Sequence, residues 1–133
     1  NVEAGQAALL PIDSDKSARR IRDALSHRYG LDVAVIISDT FGRPWRRGVT
    51  DVAIGSAGLS PVVDLRGTTD ALGRELQVTE VAVADELAAA AELVMGKSSG
   101  VPVAIVRGVN SEWFGDGTVQ DDLLRKPNED LFR

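Results

Sequence analysis

The chain has 133 residues, a single domain's length; 44% are apolar, 26% charged and only 5% aromatic, so a core must be built from Ala, Val, Leu and Ile. A net charge of −5 gives no electrostatic case for binding nucleic acid or an anionic membrane, and the lack of cysteine excludes disulfides, thiolate metal sites and a cysteine nucleophile. This composition fits a cytoplasmic protein, no apolar run approaches the ~20 residues of a bilayer span, and folding at this length is expected to bury roughly two-thirds of the unfolded surface.

The chain begins at Asn1 within what reads as ordered sequence, without the basic and apolar regions of a signal peptide, as a fragment or processed product would. Ala7 to Ile12 is a short apolar run that could form a strand, at an edge because Pro11 cannot donate to a ladder. Asp13, Ser14 and Asp15 are candidate N-caps for a helix with Ala18, Ile21, Ala24, Leu25 and Tyr29 on one face. Gly30 is its stop. His27, in the last turn, reads as a surface or capping residue.

Val33 to Ile37 predicts a buried central strand, followed by a loop from Asp39 to about Thr50. Val52 to Gly55 and Val62–Val63 read as further strands, and Arg74 to Val78 alternates as a half-buried strand does. Thr79 is expected to cap a helix running to Met95, so rich in Ala and Leu that it should be buried on most of its circumference. Asp85 and Glu86 are then either a polar seam with salt bridges or a carboxylate entering a polar site. Gly96 ends the helix, Val101 to Val106 predicts a second strong strand, and residues 109–133 read as an irregular tail with one short helix near Asp121 to Arg125. The fold class expected is α+β, with mixed or antiparallel sheets packed against two main helices.

Chemistry concentrates at Ser38 to Gly48. Asp39 and Thr40 set a carboxylate beside a hydroxyl at a strand end, a donor set for magnesium or manganese. Arg43 and Arg46 can clamp phosphate or carboxylate oxygens. Gly96-Lys97-Ser98 is not a P-loop, because Ala91 stands where the first glycine belongs and the loop closes a helix instead of opening one. Asp51, Asp64 and Asp70 are read as turn caps or partners of neighbouring arginines. With one histidine, a zinc site and a Ser-His-Asp triad are both set aside. Oxygen-ligand metal plus arginines suits phosphoryl transfer.

Ser38 to Arg46, Val52 to Gly58, Thr79 to Gly96 and Pro102 to Gly108 together resemble the coenzyme F(420):L-glutamate ligase, or gamma-glutamyl ligase, family across nearly the whole chain. The resemblance implies an enzyme in which GTP phosphorylates a carboxylate of the deazaflavin coenzyme precursor and the amine of L-glutamate displaces phosphate to form an amide. It implies Mn2+ or Mg2+, with K+ as a further cation, and a homodimer. Asp39 and Thr40 match the family's metal-binding pair, Asn1 its nucleotide-contacting asparagine, and Met95, Gly96, Lys97, Ser98, Ser99 and Gly100 its nucleotide loop, while Arg43 and Arg46 belong to the signature without an assigned role. Residues 1–133 then correspond to the second half of a ligase domain, which is expected to need its first half, including one more metal-binding aspartate, for activity. The rival reading is a non-catalytic dimerisation or ligand-binding module on the same scaffold.

Overall fold

In the computed structural model, residues 5–132 are described. Helix α1, Ser14–Tyr29, starts where the Asp13 carboxylate accepts the Lys16 N–H at 2.7 Å and stops at Gly30, in left-handed conformation with φ 64°. It leads into two strands, β1 (Val35–Arg43) and β2 (Arg46–Ala57), which form an antiparallel hairpin closed by Pro44 and Trp45. The expected loop from Asp39 to Thr50 is therefore paired strand. Its glycines and Pro44 mislead because the chain uses them for the turn and for a bulge at Arg47–Gly48, while the residues between keep their ladder partners.

A second antiparallel pair joins β3 (Val63–Asp64) to β4 (Glu80–Val81). Between them, Arg74 to Val78 forms no strand; the segment turns on Asp70, whose carboxylate accepts the N–H groups of Leu72 and Arg74, with a single bridge between Thr69 and Glu75. Helix α2, Val83–Met95, begins later than Thr79 would place it. Its N-cap is Ala82, which has no capping side chain, and the Ala84 N–H is satisfied by the Pro61 carbonyl at 3.1 Å.

The core is small. Ala53 of β2, Leu59, Ala84 of α2 and Val119 form its buried centre, with Ile36, Leu87, Val109, Trp113 and Leu123 against it. The tail reaches this core through two short turns, Ser111–Trp113 and Val119–Leu123, the second a π-helical turn close to the expected helix. Helix α1 lies along β2, where Ala18 is fully buried and Gly55 meets the backbone of Ser14 so closely that no Cβ could fit. Asp15 ties the pieces together: its carboxylate accepts N–H groups from Ser56 at 2.8 Å, Val119 at 2.9 Å and Gln120 at 3.1 Å.

Four sequence expectations of strand or burial fail together. Ala7 to Ile12 and Val101 to Val106 form no strand among the described residues, leaving Ile12, Val103 and Ile105 exposed. Helix α2 buries only Val83, Ala84 and Ala88, while Leu93 and Val94 face outward. Val33 to Ile37 is half-buried at the margin of a two-stranded hairpin, not central in a larger sheet. The accessible surface is 10,227 Å², whereas a compact monomer of 14.1 kDa would expose about 6,700 Å². About half of the unfolded surface is buried, not two-thirds. Apolar side chains of this number on one molecule mark surface built to be covered.

Candidate functional site

Side chains along a strand alternate between its two faces. Ser38 and Thr40 thus share a face, and Asp51, the cross-strand partner of Thr40, lies on it with them. The Asp51 carboxylate is buried, 6% exposed, and accepts the hydroxyls of Thr40 on Oδ1 at 2.8 Å and of Ser38 on Oδ2 at 3.1 Å. A cation completes the cluster. Lys97, in the loop after α2, donates from Nζ to Asp51 Oδ1 and to Thr40 Oγ1, the latter at 2.5 Å, with Glu92 Oε1 at 3.5 Å. Burial pushes the Asp51 carboxyl up, but the hydrogen bonds from Lys97, Thr40 and Ser38 outweigh it and hold the group below its ordinary value. The same bond to Asp51, with the nearby carboxylate of Glu92, raises the Lys97 ammonium.

Asp51 is the residue that reading the sequence as a turn cap or arginine partner misses. That reading holds for Asp64, which pairs with Arg66 through two bonds, and for Asp70, which caps its turn and pairs with Arg74. Nothing local marks Asp51 as different, because its cation lies 46 residues further along the chain. Asp85 also finds a structural use: its Oδ1 accepts the Ala53 N–H at 2.9 Å, satisfying the open edge of β2, while Glu86 is exposed.

Asp39 projects from the opposite face of β1, exposed, with Oδ1 accepting the Thr40 N–H at 2.8 Å. Its carboxylate fits a magnesium or manganese ion as one oxygen ligand. Thr40 does not fit the same ion, because its hydroxyl turns to the other face and is engaged by Asp51 and Lys97. Among the described residues no three carboxylate or imidazole side chains gather at a metal-binding distance. At the hairpin mouth Arg43 and Arg46 stand opposite each other in register. Two guanidiniums so placed repel, and an anion between them would relieve it. The buried Nε of Arg43 has no hydrogen-bond partner among the described residues. Met95 is the last residue of α2 and Gly96 to Gly100 follow it, Gly96 closing the helix through its N–H to the Glu92 carbonyl at 2.8 Å. Of this loop, Lys97 reaches the hairpin. Asn1 lies outside the described residues.

The helix-flanked antiparallel hairpin thus sets an exposed aspartate on one face, a buried aspartate paired with a half-exposed lysine on the other and two arginines at its mouth, and comparison with known proteins defines the class. Residues 1–108 match the family described as F420-0:Gamma-glutamyl ligase, and the chain belongs to it. Three similar proteins carry the name coenzyme F420:L-glutamate ligase. That of Methanothermobacter thermautotrophicus is 52% identical over 135 aligned residues, covering 100% of this chain and 53% of the relative. That of Methanopyrus kandleri is 46% identical, covering 100% and 54%. That of Methanocaldococcus jannaschii is 48% identical, covering 94% and 50%. The chain therefore spans about half the length of these curated relatives. Among the described residues no helix is long and apolar enough to cross a membrane.

Proposed function

We propose that the chain is the part of a coenzyme F420:L-glutamate ligase that carries the metal-binding hairpin and the nucleotide loop. In this reading a carboxylate oxygen of the deazaflavin precursor attacks the γ-phosphorus of GTP, giving an acyl phosphate and GDP. The amine of L-glutamate then attacks the acyl carbon, phosphate leaves, a proton is lost from nitrogen, and the amide forms. Each step needs phosphate charge held in place more than it needs covalent participation by the protein. Arg43 and Arg46 supply guanidiniums at the hairpin mouth, and the Met95–Gly100 loop offers backbone N–H groups to a nucleotide. Asp39 supplies a carboxylate to Mn2+ or Mg2+, which when bound neutralises phosphate charge.

The observation that carries this reading is the bond from Lys97 to Thr40 and Asp51. It holds the loop proposed for the nucleotide against the strand that carries Asp39, on the face opposite the Asp39 side chain. The exposed apolar surface supports a second part of the reading: the remainder of a ligase domain, and a second copy in a homodimer, cover it. The chain by itself is then inactive. Incubating residues 1–133 with GTP, Mn2+, L-glutamate and the deazaflavin precursor should yield no glutamylated product by mass spectrometry, and the full-length protein should yield it. Amide product from the chain alone would overturn the shared-site reading; none from the full-length protein would overturn the ligase reading.

A further inference from the structure

We propose that the Lys97 ammonium is the resident cation of the Thr40–Asp51 cluster and keeps a metal ion off the Thr40 hydroxyl. The proposal uses the metal reading above only for Asp39, on the other face of the strand.

The argument is one of lone pairs and charge. The Thr40 hydroxyl has one proton, which it gives to Asp51 Oδ1 at 2.8 Å, and it accepts from Lys97 Nζ at 2.5 Å. Asp51 Oδ1 already accepts from both Thr40 and Lys97, and Oδ2 from Ser38. A divalent ion bound to Thr40 Oγ1 at about 2.1 Å would lie within about 5 Å of a full positive charge. The Lys97 side chain is 44% exposed, so solvent weakens that repulsion without removing it, while the buried Asp51 carboxylate holds the ammonium in place. The lysine is half-exposed but held from two sides, because Glu92, on the last turn of α2, faces the same ammonium at 3.5 Å. One buried carboxylate therefore has its positive partner supplied covalently, by the loop that follows α2. This makes Lys97 a determinant of how many metal ions the hairpin holds, and a chelator cannot remove its charge.

Manganese binding separates the possibilities, measured by the free-ion electron paramagnetic resonance signal on the full chain. Wild type, Lys97→Gln and Lys97→Met would be titrated, each with and without Asp51→Asn. The expected result is one more Mn2+ per chain in both Lys97 variants than in wild type, the extra ion being lost with Asp51→Asn. Equal uptake by wild type and both Lys97 variants would overturn the proposal. If wild type binds no manganese while the Lys97 variants bind one, the proposal stands and Asp39 fails as a metal ligand. In case the variants do not fold, lysine-selective nitrogen-15 spectra of wild type decide. A slowly exchanging Lys97 ammonium signal that magnesium leaves in place supports the proposal; its absence, or its loss on adding magnesium, overturns it.

Discussion

Asp51 and Lys97 join the middle of the hairpin to the loop after the second helix, a buried carboxylate meeting the only lysine that reaches it among the described residues. The pair has a pH signature. The Asp51 carboxyl lies below its ordinary value of 3.8 in the folded chain, so the folded state takes up its proton less readily than the unfolded state. Its stabilisation is present in full above the ordinary value and is lost as pH falls through it toward the lower folded value. The exposed Asp64 carboxyl, held by Arg66, and the half-buried Asp70 carboxyl, held by the N–H groups of Arg74 and Leu72 and by the Arg74 side chain, are lowered in the same sense. Asp51→Asn separates its contribution from theirs, because the substitution leaves both of those groups and their partners in place. Urea midpoints should be level around neutral pH and fall in acid for wild type, with Asp51→Asn flattening the acid fall. An unchanged acid limb in Asp51→Asn would contradict the assignment.

Asp15→Ala should destabilise the chain by about 2–4 kcal/mol, since one charged acceptor serves three backbone N–H groups on two segments distant from it in sequence. Hydrogen exchange checks the mechanism. The amides of Ser56 and Val119 should lose protection more than those in the middle of α1, and uniform loss would argue against a local staple.

Gly55→Ala should cost about 1–3 kcal/mol, because the added Cβ enters the space of the Ser14 backbone and pushes α1 from β2. Gly42→Ala on the partner strand is the control, with open space at its Cβ position and a negative φ. Thermal melts should separate the two variants, and equal midpoints would mean that α1 does not seat on β2 as described.

Much of this architecture was legible in the sequence where a local signal sufficed. Helix α1 announced itself through Asp13 and Gly30, whose roles depend on the backbone within one turn. The end of α2 at Gly96 was legible for the same reason. The hairpin from Ser38 to Gly48 was not, because a turn and a bulge use the same glycines and proline as a loop. Apolar runs misled differently. Val101 to Val106 and Leu93–Val94 carry the composition of buried elements, but no described segment covers them, and composition reports what a segment is suited to touch, not what touches it. At the site, Asp39 and Thr40 stood out as neighbours in sequence, yet neighbours on a strand face apart. Asp51 joined Thr40 only through strand register and a distant lysine.

Arg43→Ala and Arg46→Ala should each raise the KM for GTP in the full-length protein roughly tenfold, the worth of one charge-assisted hydrogen bond. Thermal stability should hold or rise slightly, since removing either guanidinium relieves the repulsion between a facing pair. A KM unchanged in both variants would remove the arginines from the nucleotide site. A fall in stability would show that they serve the hairpin instead.

Asp39, proposed as a metal-binding carboxylate of a ligase, is tested most directly by one comparison. Full-length wild type and Asp39→Asn would be assayed side by side for Mn2+ binding and for GTP-dependent addition of L-glutamate to the deazaflavin precursor. The substitution keeps the side chain's size and its acceptor for the Thr40 N–H while removing the charge. Loss of both manganese binding and amide formation in a folded Asp39→Asn protein is the result predicted. Undiminished ligation by that variant would contradict the account and favour a scaffold that binds without catalysing.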